Sequence, residues 1–587
     1  MENILPLLKQ LAFNFEYLLV IIILLLGIYV YKFKASVLSN FINLVGFFLK
    51  TNFEKLLTLK TWKILIIIFA INFVVRFFMA WPVAEISSFD KISPEYLNLA
   101  RSLFNGQGLT TNVVWNNFLE PATIVRPDFF RFPLYPLLIA AFYKIFGMSF
   151  LAAKMVNVIF GALLPLATFW LAETITKSKK ISLLSALVIS CNQNFLVWGA
   201  LTYPEIVYGC CGLLFINFLF KTDSPDGINK IKKKFMPFLV GIFWALSYLT
   251  RSEAFYIFLP VFIFYYFSGP HFKKFLIKTC ITFIGFLIIA WPHLARNYIL
   301  TGNPLYTDFP QVALVSYVEH DYLIESPRSE YRDIFQVLQE KPIFFVRRLS
   351  NYILDGIINS PEMLMKSYLF FILALIGLFY YFKEQRKKFY SLALLFLFGF
   401  VIPGIVSVTD RYYIILIALL FIMSVYGLKK IWNGLLYNKL KIKNLIIIYL
   451  TIYILASGAL GAVNGSIALT PHNFYARFDE KQYFDNLKKV YDYLRDNAPP
   501  GEAVMVSRRP YEIYYFTNHP TVIFPFTDEK GIQEFMEKYQ IKWIIWLGVP
   551  IVEGNKFLVF WPDGKHPTNI SLIYKNSAAG LYHVDYY

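Results

Sequence analysis

Acidic and basic side chains are concentrated in the segment from residue 81 to residue 136, which lies between two strongly apolar runs. A carboxylate at the boundary of an apolar run can deprotonate a hydroxyl group, and nearby arginines can hold a phosphate through charge-assisted hydrogen bonds. These residue types therefore fit acid–base chemistry on an anionic substrate. For any single one of them, the alternative interpretation is a solvated loop charge. Among the charged residues of this segment are Glu85, Asp90, Glu95, Glu120, Arg126, Asp128 and Arg131.

Further ionisable residues lie at or just inside the ends of other apolar runs. They are Glu205, Arg251, Glu253, Arg296 and Arg411. An ionisable side chain costs about 2.5–3.5 kcal/mol at the centre of a bilayer and less near its surface, so each of them should have a partner or line a polar cavity. Structural interpretations remain open. Arg251 and Glu253 can form an ion pair, Arg296 can extend to lipid headgroups, and Arg411 can pair with its neighbour Asp410.

The composition places these residues in a multi-pass membrane protein. Of 587 residues, 57% are apolar and 16% are charged, and the mean hydropathy is +0.51. Apolar runs close to the ~20 residues that cross a bilayer recur through the chain up to Val463. The formal net charge of +18 does not indicate a nucleic-acid partner, because the residues from Asn464 onward hold 13 Lys/Arg and 14 Asp/Glu. The positive excess lies in short clusters between the apolar runs, as in cytoplasmic loops that face anionic lipids.

The cysteines and histidines do not form a metal-binding pattern. The four cysteines lie in apolar runs without a CxxC pair, and the histidines are scattered without an HxxxH pair. The sequence therefore predicts neither a metal nor a cofactor.

The apolar runs predict twelve or thirteen membrane spans. They are 15–34, 64–80, 150–174, 181–200, 204–220, 236–250, 254–268, 275–292, 366–382, 389–408, 411–428 and 444–463, with a shorter candidate at 133–147. The positive-inside rule assigns the basic clusters between these runs to the cytoplasm. The resulting topology places residues 81–132, 293–365 and 464–587 together on the outer face. It requires that 133–147, which reaches only about 22 Å against a core of ~30 Å, forms a half-span or a re-entrant helix.

The composition changes beyond Asn464, where polar residues replace the apolar runs. Helical patterns at 480–497 and 530–539 alternate with β-like runs at 503–506, 521–526 and 543–547. These features predict a small α/β domain with βαβ packing. The tail holds no GxGxxG and no GxxxxGK[ST], so it is not expected to bind a nucleotide. We define residues 464–587 as the tail.

Several motifs together resemble the GT-C class of polyprenyl-phosphate-sugar glycosyltransferases, which includes the protein O-mannosyltransferases and the lipid A aminoarabinose transferases. The stretch FDKISPEYLNLARSLFNGQGL from Phe89 to Leu109, followed by RFPLYP from Arg131 to Pro136, is similar to the first outer loop of that class. The resemblance covers roughly residues 61 to 545. Four further motifs follow in the same order: TYPE at 202–205, LTRSE at 249–253, WPHLARN at 291–297 and DRYY at 410–413.

The resemblance implies roles for individual residues. In the class, an acidic residue of the first outer loop acts as general base, but the position four residues before the loop tyrosine is Ile92 here. Asp90 is the nearest replacement and Glu95, beside Tyr96, is the second choice, with Glu85, Asp128 or no base as the remaining alternatives. The residues implied to bind donor phosphate or substrate are Arg126, Arg131, Glu205, Arg251, Glu253, Arg296, Asn297, Arg411 and Tyr412.

These observations predict an α-helical polytopic membrane protein of about 12–13 transmembrane helices, similar to the GT-C class, with a small C-terminal α/β domain outside the membrane. The expected organisation is an N-terminal anchor and basic cytoplasmic segment (1–60), a transmembrane catalytic domain (61–463) and the soluble tail (464–587). The resemblance implies an inverting glycosyltransferase in the plasma (inner) membrane, with its active site on the outer face. Its expected partners are a polyprenyl-phosphate-sugar donor, a hydroxyl acceptor on a lipid, protein or glycan, and membrane lipids.

Two other functions fit the same features. A transporter or lipid flippase also has many spans with charges at their ends, although such proteins usually bind near the bilayer midplane. Ile92, at the position where the class has its acidic base, also fits an inactive relative that uses the tail to bind a ligand. For the active enzyme, we expect the tail to place the acceptor and to take no part in the chemical step.

Overall fold

A computed structural model of the chain describes residues 53–81, 93–115, 121–223, 230–308, 339–359, 364–404, 410–434, 480–507, 509–525, 529–547 and 570–585, together with a few isolated positions. Two predicted spans, 15–34 and 444–463, lie outside these continuous segments, and so do Glu85, Asp90 and Glu120.

Helices make up most of the described chain before the tail. They are α1 (Thr61–Ala80), α2 (Ser93–Phe104), α3 (Leu134–Phe146), α4 (Phe150–Thr176), α5 (Lys179–Cys191), α6 (Gln193–Ala200), α7 (Glu205–Lys221), α8 (Lys230–Tyr248), α9 (Glu253–Phe267), α10 (Phe272–Thr301), α11 (Pro342–Ile358), α12 (Tyr368–Glu384), α13 (Arg386–Gly404) and α14 (Ile414–Asn433). A 3₁₀ turn, Asp410–Tyr413, leads into α14. Each predicted span within the described segments coincides with a helix, except that 181–200 is bent by 52° between α5 and α6.

Four of the described helical segments are long and apolar enough to cross a membrane: Thr61–Ala80, Phe150–Thr176, Phe272–Thr301 and Asp410–Asn433. The bent pair α5–α6 makes a fifth if it counts as one span. The helix α3 is apolar but has only 13 residues, as expected for the short candidate at 133–147. Large apolar side chains are exposed on these helices, for example Phe78 at 67% and Ile299 at 79%, which is the pattern of a surface that faces lipid.

Glycines allow two helix pairs to cross closely. Gly241 of α8 and Gly285 of α10 face each other, and a Cβ on Gly241 would overlap the carbonyl of Thr282. Gly377 of α12 and Gly427 of α14 form the second pair, where a Cβ on either residue would overlap a backbone carbonyl of the facing helix. Small residues at such crossings let backbones approach, which is the main source of helix packing in a membrane.

The tail forms an α/β unit in which the two predicted helices and the three predicted strands match observed elements to within three residues. The helix Pro510–Thr517 and the strands Ile570–Lys575 and Ala579–Val584 were not predicted. The helices are α15 (Glu480–Asn497), α16 (Pro510–Thr517) and α17 (Glu529–Lys538). The strands are β4 (Ala503–Val506), β5 (Thr521–Ile523), β6 (Ile541–Leu547), β7 (Ile570–Lys575) and β8 (Ala579–Val584). The chain before the tail adds three two-residue strands, β1 (Thr110–Thr111), β2 (Val113–Val114) and β3 (Arg126–Pro127).

The sheet of the tail includes a strand from the segment 81–132, which the sequence did not predict. Its order is β2-β5-β4-β6-β8-β7. Strands β2, β5, β4 and β6 are parallel, whereas β8 and β7 are antiparallel to their neighbours. Side chains alternate between the two faces along β4: Met505 belongs to the core that includes Met536 of α17, whereas Val504 belongs to the core that includes Leu487 of α15. The tail is therefore a three-layer unit that is joined to the segment 81–132 through β2.

Candidate active site

Glu95 lies in the first turn of α2 and is 2% exposed. Its Oε2 accepts a hydrogen bond from Arg131 Nη2 at 2.5 Å, and its Oε1 accepts one from the Tyr511 hydroxyl of the tail at 2.9 Å. Both oxygens of this predicted site residue are therefore engaged by side chains that lie far from it in the sequence. A carboxylate held by two donors is fixed in orientation.

Arg131 is held against aromatic rings as well as against Glu95. Its guanidinium lies 4.4 Å from the ring centre of Phe130 and 5.2 Å from that of Tyr96. Burial alone would lower the pKa of Arg131, but the Glu95 carboxylate outweighs burial and holds that pKa well above its usual value. The buried Nε of Arg131 has no hydrogen-bond partner within the described residues. It is a charged donor that no protein group in the described residues uses.

Asp128 is the second buried carboxylate of this cluster, 4% exposed. Its Oδ1 accepts hydrogen bonds from the backbone N–H groups of Arg131 at 2.7 Å and Phe130 at 3.1 Å. Burial raises the pKa of Asp128 to about 7, with a further increase from the nearby Glu95 charge. A carboxyl group with this pKa can gain or lose a proton near neutral pH, which is the property of a general base.

Arg296 joins α10 to the segment 81–132. Its Nη2 donates to the carbonyls of Leu109 at 3.0 Å and Asp128 at 2.9 Å, and its Nη1 donates to Asn297 Oδ1 at 3.1 Å. Asn297 Nδ2 in turn donates to the Tyr306 carbonyl at 3.0 Å. Arg296 therefore does more than extend to lipid headgroups: it holds the loop backbone beside Asp128.

Arg251 joins the ends of two helices through their carboxylates. Its Nη1 lies 2.7 Å from Glu205 Oε1 at the start of α7, and its Nε donates to Glu253 at the start of α9. The guanidinium also lies 4.6 Å from the ring centre of Tyr412. Since two carboxylates surround one guanidinium, this group carries a net negative charge, and the buried Glu205 Oε2 has no hydrogen-bond partner within the described residues.

Arg411 lies beside the Arg251 group. Its Nη2 donates to the Tyr412 hydroxyl at 2.7 Å, and its guanidinium lies 5.8 Å from the ring centre of Tyr203. The buried Arg411 Nε has no partner in the described part of the chain. Arg411 therefore keeps charge and a donor that are not used by a bonded carboxylate.

Tyr96 connects the Glu95–Arg131 group with the Arg251 group. Its hydroxyl lies within electrostatic reach of Glu95 and Arg131 and also of Glu205 and Arg251. The backbone is tied across the same place, because the N–H of Leu134 donates to the Leu249 carbonyl at 2.8 Å. The two groups thus form one polar cluster at the end of the helical body, and we call it the central cluster.

The predicted site residue Arg126 has a different environment. Its Nη1 donates to the carbonyls of Val113 at 3.3 Å and Ile124 at 3.4 Å, close to strands β2 and β3. These contacts hold the loop beside the tail sheet. The leading candidate base, Asp90, lies outside the described residues, so its position relative to the central cluster stays a prediction.

Comparison with solved structures gives the fold. AglB, the archaeal oligosaccharyltransferase from Archaeoglobus fulgidus solved with an inhibitory peptide and a dolichol-phosphate, matches with a TM-score of 0.58 and 14% identity, over 83% of this chain and 69% of that chain. ArnT from Cupriavidus metallidurans, solved with undecaprenyl phosphate, matches with a TM-score of 0.55 and 11% identity, over 89% of this chain and 98% of that chain. The chain has the GT-C fold.

Sequence comparisons agree with the GT-C fold. The family model for dolichyl-phosphate-mannose-protein mannosyltransferase matches residues 126–295, which include Arg131, Glu205 and Arg251. An uncharacterized protein from Aquifex aeolicus is 26% identical over 325 residues. That match spans 54% of this chain and 56% of the relative, so it covers only about half of either protein. The predicted resemblance to the GT-C class and the predicted fold class are both confirmed.

Two residues beside the central cluster, Asn98 and Arg101, were missed by sequence reasoning. Asn98 Nδ2 donates to the Tyr511 carbonyl at 2.8 Å. Arg101 donates to the carbonyls of Tyr514 and Tyr515, each at 3.2 Å. The spacing of Glu95, Asn98 and Arg101 places all three on one face of α2, which is a signal for a helix with a polar partner. Nothing local indicates that this partner is α16 of the tail.

The described residues hold no group of three or more His, Cys, Asp and Glu side chains that could bind a metal ion. His293 illustrates this, because its ring packs against Phe132 at 5.2 Å and Tyr248 at 6.0 Å. The described residues of the central cluster therefore offer the chemistry of buried carboxylates and arginines.

Proposed function

We propose that the protein transfers a sugar from a polyprenyl-phosphate carrier to a hydroxyl group, on the extracytoplasmic face of the plasma (inner) membrane. The observation that carries this proposal is the central cluster together with the adjacent Arg411, where the buried Nε atoms of Arg131 and Arg411 have no partner among the described residues and lie near buried carboxylates. The structures of AglB with a dolichol-phosphate and of ArnT with undecaprenyl phosphate support a lipid-phosphate donor. The similarity to the mannosyltransferase family model supports glycosyl transfer in general.

Arg411 and Arg131 are the residues best suited to hold the donor phosphate. Each has a buried Nε without a partner in the described chain, and a charge-assisted hydrogen bond to phosphate contributes about 1.5–3 kcal/mol. Arg251 is less suited, because two carboxylates already neutralise it. We assign it the role of holding α7 and α9 around the donor. Negative charge that develops on the leaving phosphate would then meet positive groups that are already in place.

The proposed reaction is a single displacement. A carboxylate takes the proton of the acceptor hydroxyl as its oxygen attacks the anomeric carbon, the bond from that carbon to the phosphate oxygen breaks, and polyprenyl phosphate leaves. This order inverts the anomeric centre. Asp90 remains the proposed base, and Asp128 replaces Glu95 as the second choice, because both oxygens of Glu95 already accept hydrogen bonds.

A direct assay tests this proposal. Purified protein is incubated in detergent with polyprenyl-phosphate sugars that carry a radiolabelled sugar, and the release of label from the lipid fraction is measured. We expect the wild type to release label from the lipid fraction. We expect Asp90→Asn to bind the donor without releasing label. Label that stays on the lipid but moves across the bilayer of a reconstituted vesicle would contradict glycosyl transfer and favour a flippase.

A further inference from the structure

The tail reaches the central cluster through one helix. In α16, Tyr511 is 8% exposed and places its hydroxyl 2.9 Å from Glu95 Oε1, although 416 residues separate the two in the sequence. Burial and the Glu95 carboxylate both raise the pKa of Tyr511 well above its usual value, so the hydroxyl stays protonated and remains a donor. Glu95 therefore depends on the tail for one of its two bonded partners.

The docking of α16 does not depend on this hydroxyl. Asn98 bonds the Tyr511 carbonyl at 2.8 Å, and Arg101 bonds the carbonyls of Tyr514 and Tyr515. The Arg101 guanidinium also lies 4.7 Å from the ring centre of Tyr514. Because these contacts use the backbone and the rings, the Tyr511 hydroxyl is free to act on Glu95 alone.

We infer that the tail completes the active site, with Tyr511 as a positioning residue that fixes Glu95 and, through Glu95, the Arg131 guanidinium. This inference rests on the proposed function, and it differs from our expectation that the tail takes no part in the chemical step. Glu95 connects the two partners, since Oε1 bonds Tyr511 and Oε2 bonds Arg131. Loss of the hydroxyl frees one oxygen of the carboxylate, which lets Glu95 and the Arg131 fork rotate away from the orientation that presents Nε.

The substitution Tyr511→Phe tests the inference in the full chain, because it removes one oxygen atom and keeps the ring. We expect kcat for sugar transfer to fall about 10-fold, as for the loss of one charge-assisted hydrogen bond, with little change in the KM for acceptor. The double variant Tyr511→Phe with Glu95→Gln should be no slower than Glu95→Gln alone.

Tyr493→Phe is the matched control. Tyr493 belongs to the same tail and stacks on Tyr574 at 5.2 Å, on the face of the sheet that is covered by α15. This variant should keep the wild-type rate. Two results would overturn the inference. One is a transfer rate for Tyr511→Phe equal to that of Tyr493→Phe. The other is a double variant, Tyr511→Phe with Glu95→Gln, whose loss of rate equals the product of the losses in the two single variants.

Hydrogen exchange measures the same contact without turnover. The amides of α2 should exchange faster in Tyr511→Phe than in the wild type or in Tyr493→Phe. If the wild type releases no label from any donor, the proposed function fails. If the amide hydrogens of α2 exchange at the same rate in Tyr511→Phe as in the wild type, the positioning role is overturned independently of that result.

Discussion

Arg251 Nη1 lies 2.7 Å from Glu205 Oε1, and the Nε of the same guanidinium donates to Glu253. One buried cation therefore joins the first residues of α7 and α9. Carboxylates at these positions also interact favourably with the positive N-terminal ends of the two helices. Three ionisable groups that the sequence places at the ends of apolar runs therefore pair with one another, while Glu205 Oε2 has no partner among the described residues.

This relationship predicts a large loss of stability in Arg251→Met. Removal of one partner of a buried ion pair typically destabilises a protein by about 3–5 kcal/mol, because the remaining charges stay buried without a partner. Thermal unfolding in detergent should show a clear decrease in the midpoint. The control is Lys180→Met, which breaks the pair with Glu54, where the two side chains are 62% and 44% exposed. An exposed pair contributes about 0–1 kcal/mol. Equal midpoints for the two variants would contradict the structural role of Arg251.

Arg411→Lys should weaken donor binding more than it weakens folding. Lysine keeps the positive charge but loses the fork that presents Nε, and a donor loss of about 10-fold is expected for one charge-assisted hydrogen bond. Equilibrium binding of a labelled polyprenyl phosphate measures this effect. Arg296→Lys provides the comparison, because both Nη atoms of Arg296 bond protein groups, so its main effect should be on thermal stability. Stronger loss of donor affinity in Arg296→Lys than in Arg411→Lys would reverse these roles.

The raised pKa of Asp128 predicts a pH dependence of stability. In the folded protein this pKa is about 7, whereas the ordinary value is 3.8, so folding favours the protonated form. The stabilising contribution is fully present below the ordinary pKa and is lost as the pH rises towards 7. Over this interval the free energy of unfolding should fall by up to roughly 1.4 kcal/mol per pH unit. The variant Asp128→Asn should lack this component. If the free energy of unfolding changes between pH 4 and pH 8 by the same amount in Asp128→Asn as in the wild type, the assignment is contradicted.

The close helix crossing at Gly241 predicts that Gly241→Ala is strongly destabilising. The added Cβ would overlap the Thr282 carbonyl, and a backbone atom cannot move aside without separating α8 from α10. Gly399→Ala is the matched control, since its Cβ would meet only side-chain atoms of Leu416 at 3.3 Å. Unfolding midpoints in the same detergent compare the two. A smaller decrease for Gly241→Ala than for Gly399→Ala would show that the α8–α10 crossing tolerates the extra atom.

The described membrane helices and five of the tail elements could be predicted because their signals are local, whereas α16, β7 and β8 were not predicted. A run of apolar residues sets a span, and alternation with turn residues sets the strands of the tail. The sheet strand β2 could not be predicted, because Val113–Val114 is only two residues long and is in place through pairing with β5. The bond between Glu95 and Tyr511 joins residues 416 positions apart. No periodicity or motif reports a contact of that kind; only the polar face of α2 indicates that some partner is present.

Asp90→Asn separates the candidates for the general base. The amide keeps nearly the same shape as the carboxylate but cannot accept the proton, so we expect sugar transfer to be lost while donor binding is kept. Transfer rate and equilibrium binding of donor, measured on the same preparation, give the two quantities. Asp90→Glu is the matched variant, because it keeps the carboxylate at a different reach, and partial activity there would support a proton-accepting role. Full activity in Asp90→Asn would exclude Asp90. Asp128 would then be the preferred candidate and Glu95 the next. Asp128 has a pKa of about 7, and only one of its oxygens accepts hydrogen bonds from backbone N–H groups. Both oxygens of Glu95 already accept hydrogen bonds, from Arg131 and Tyr511.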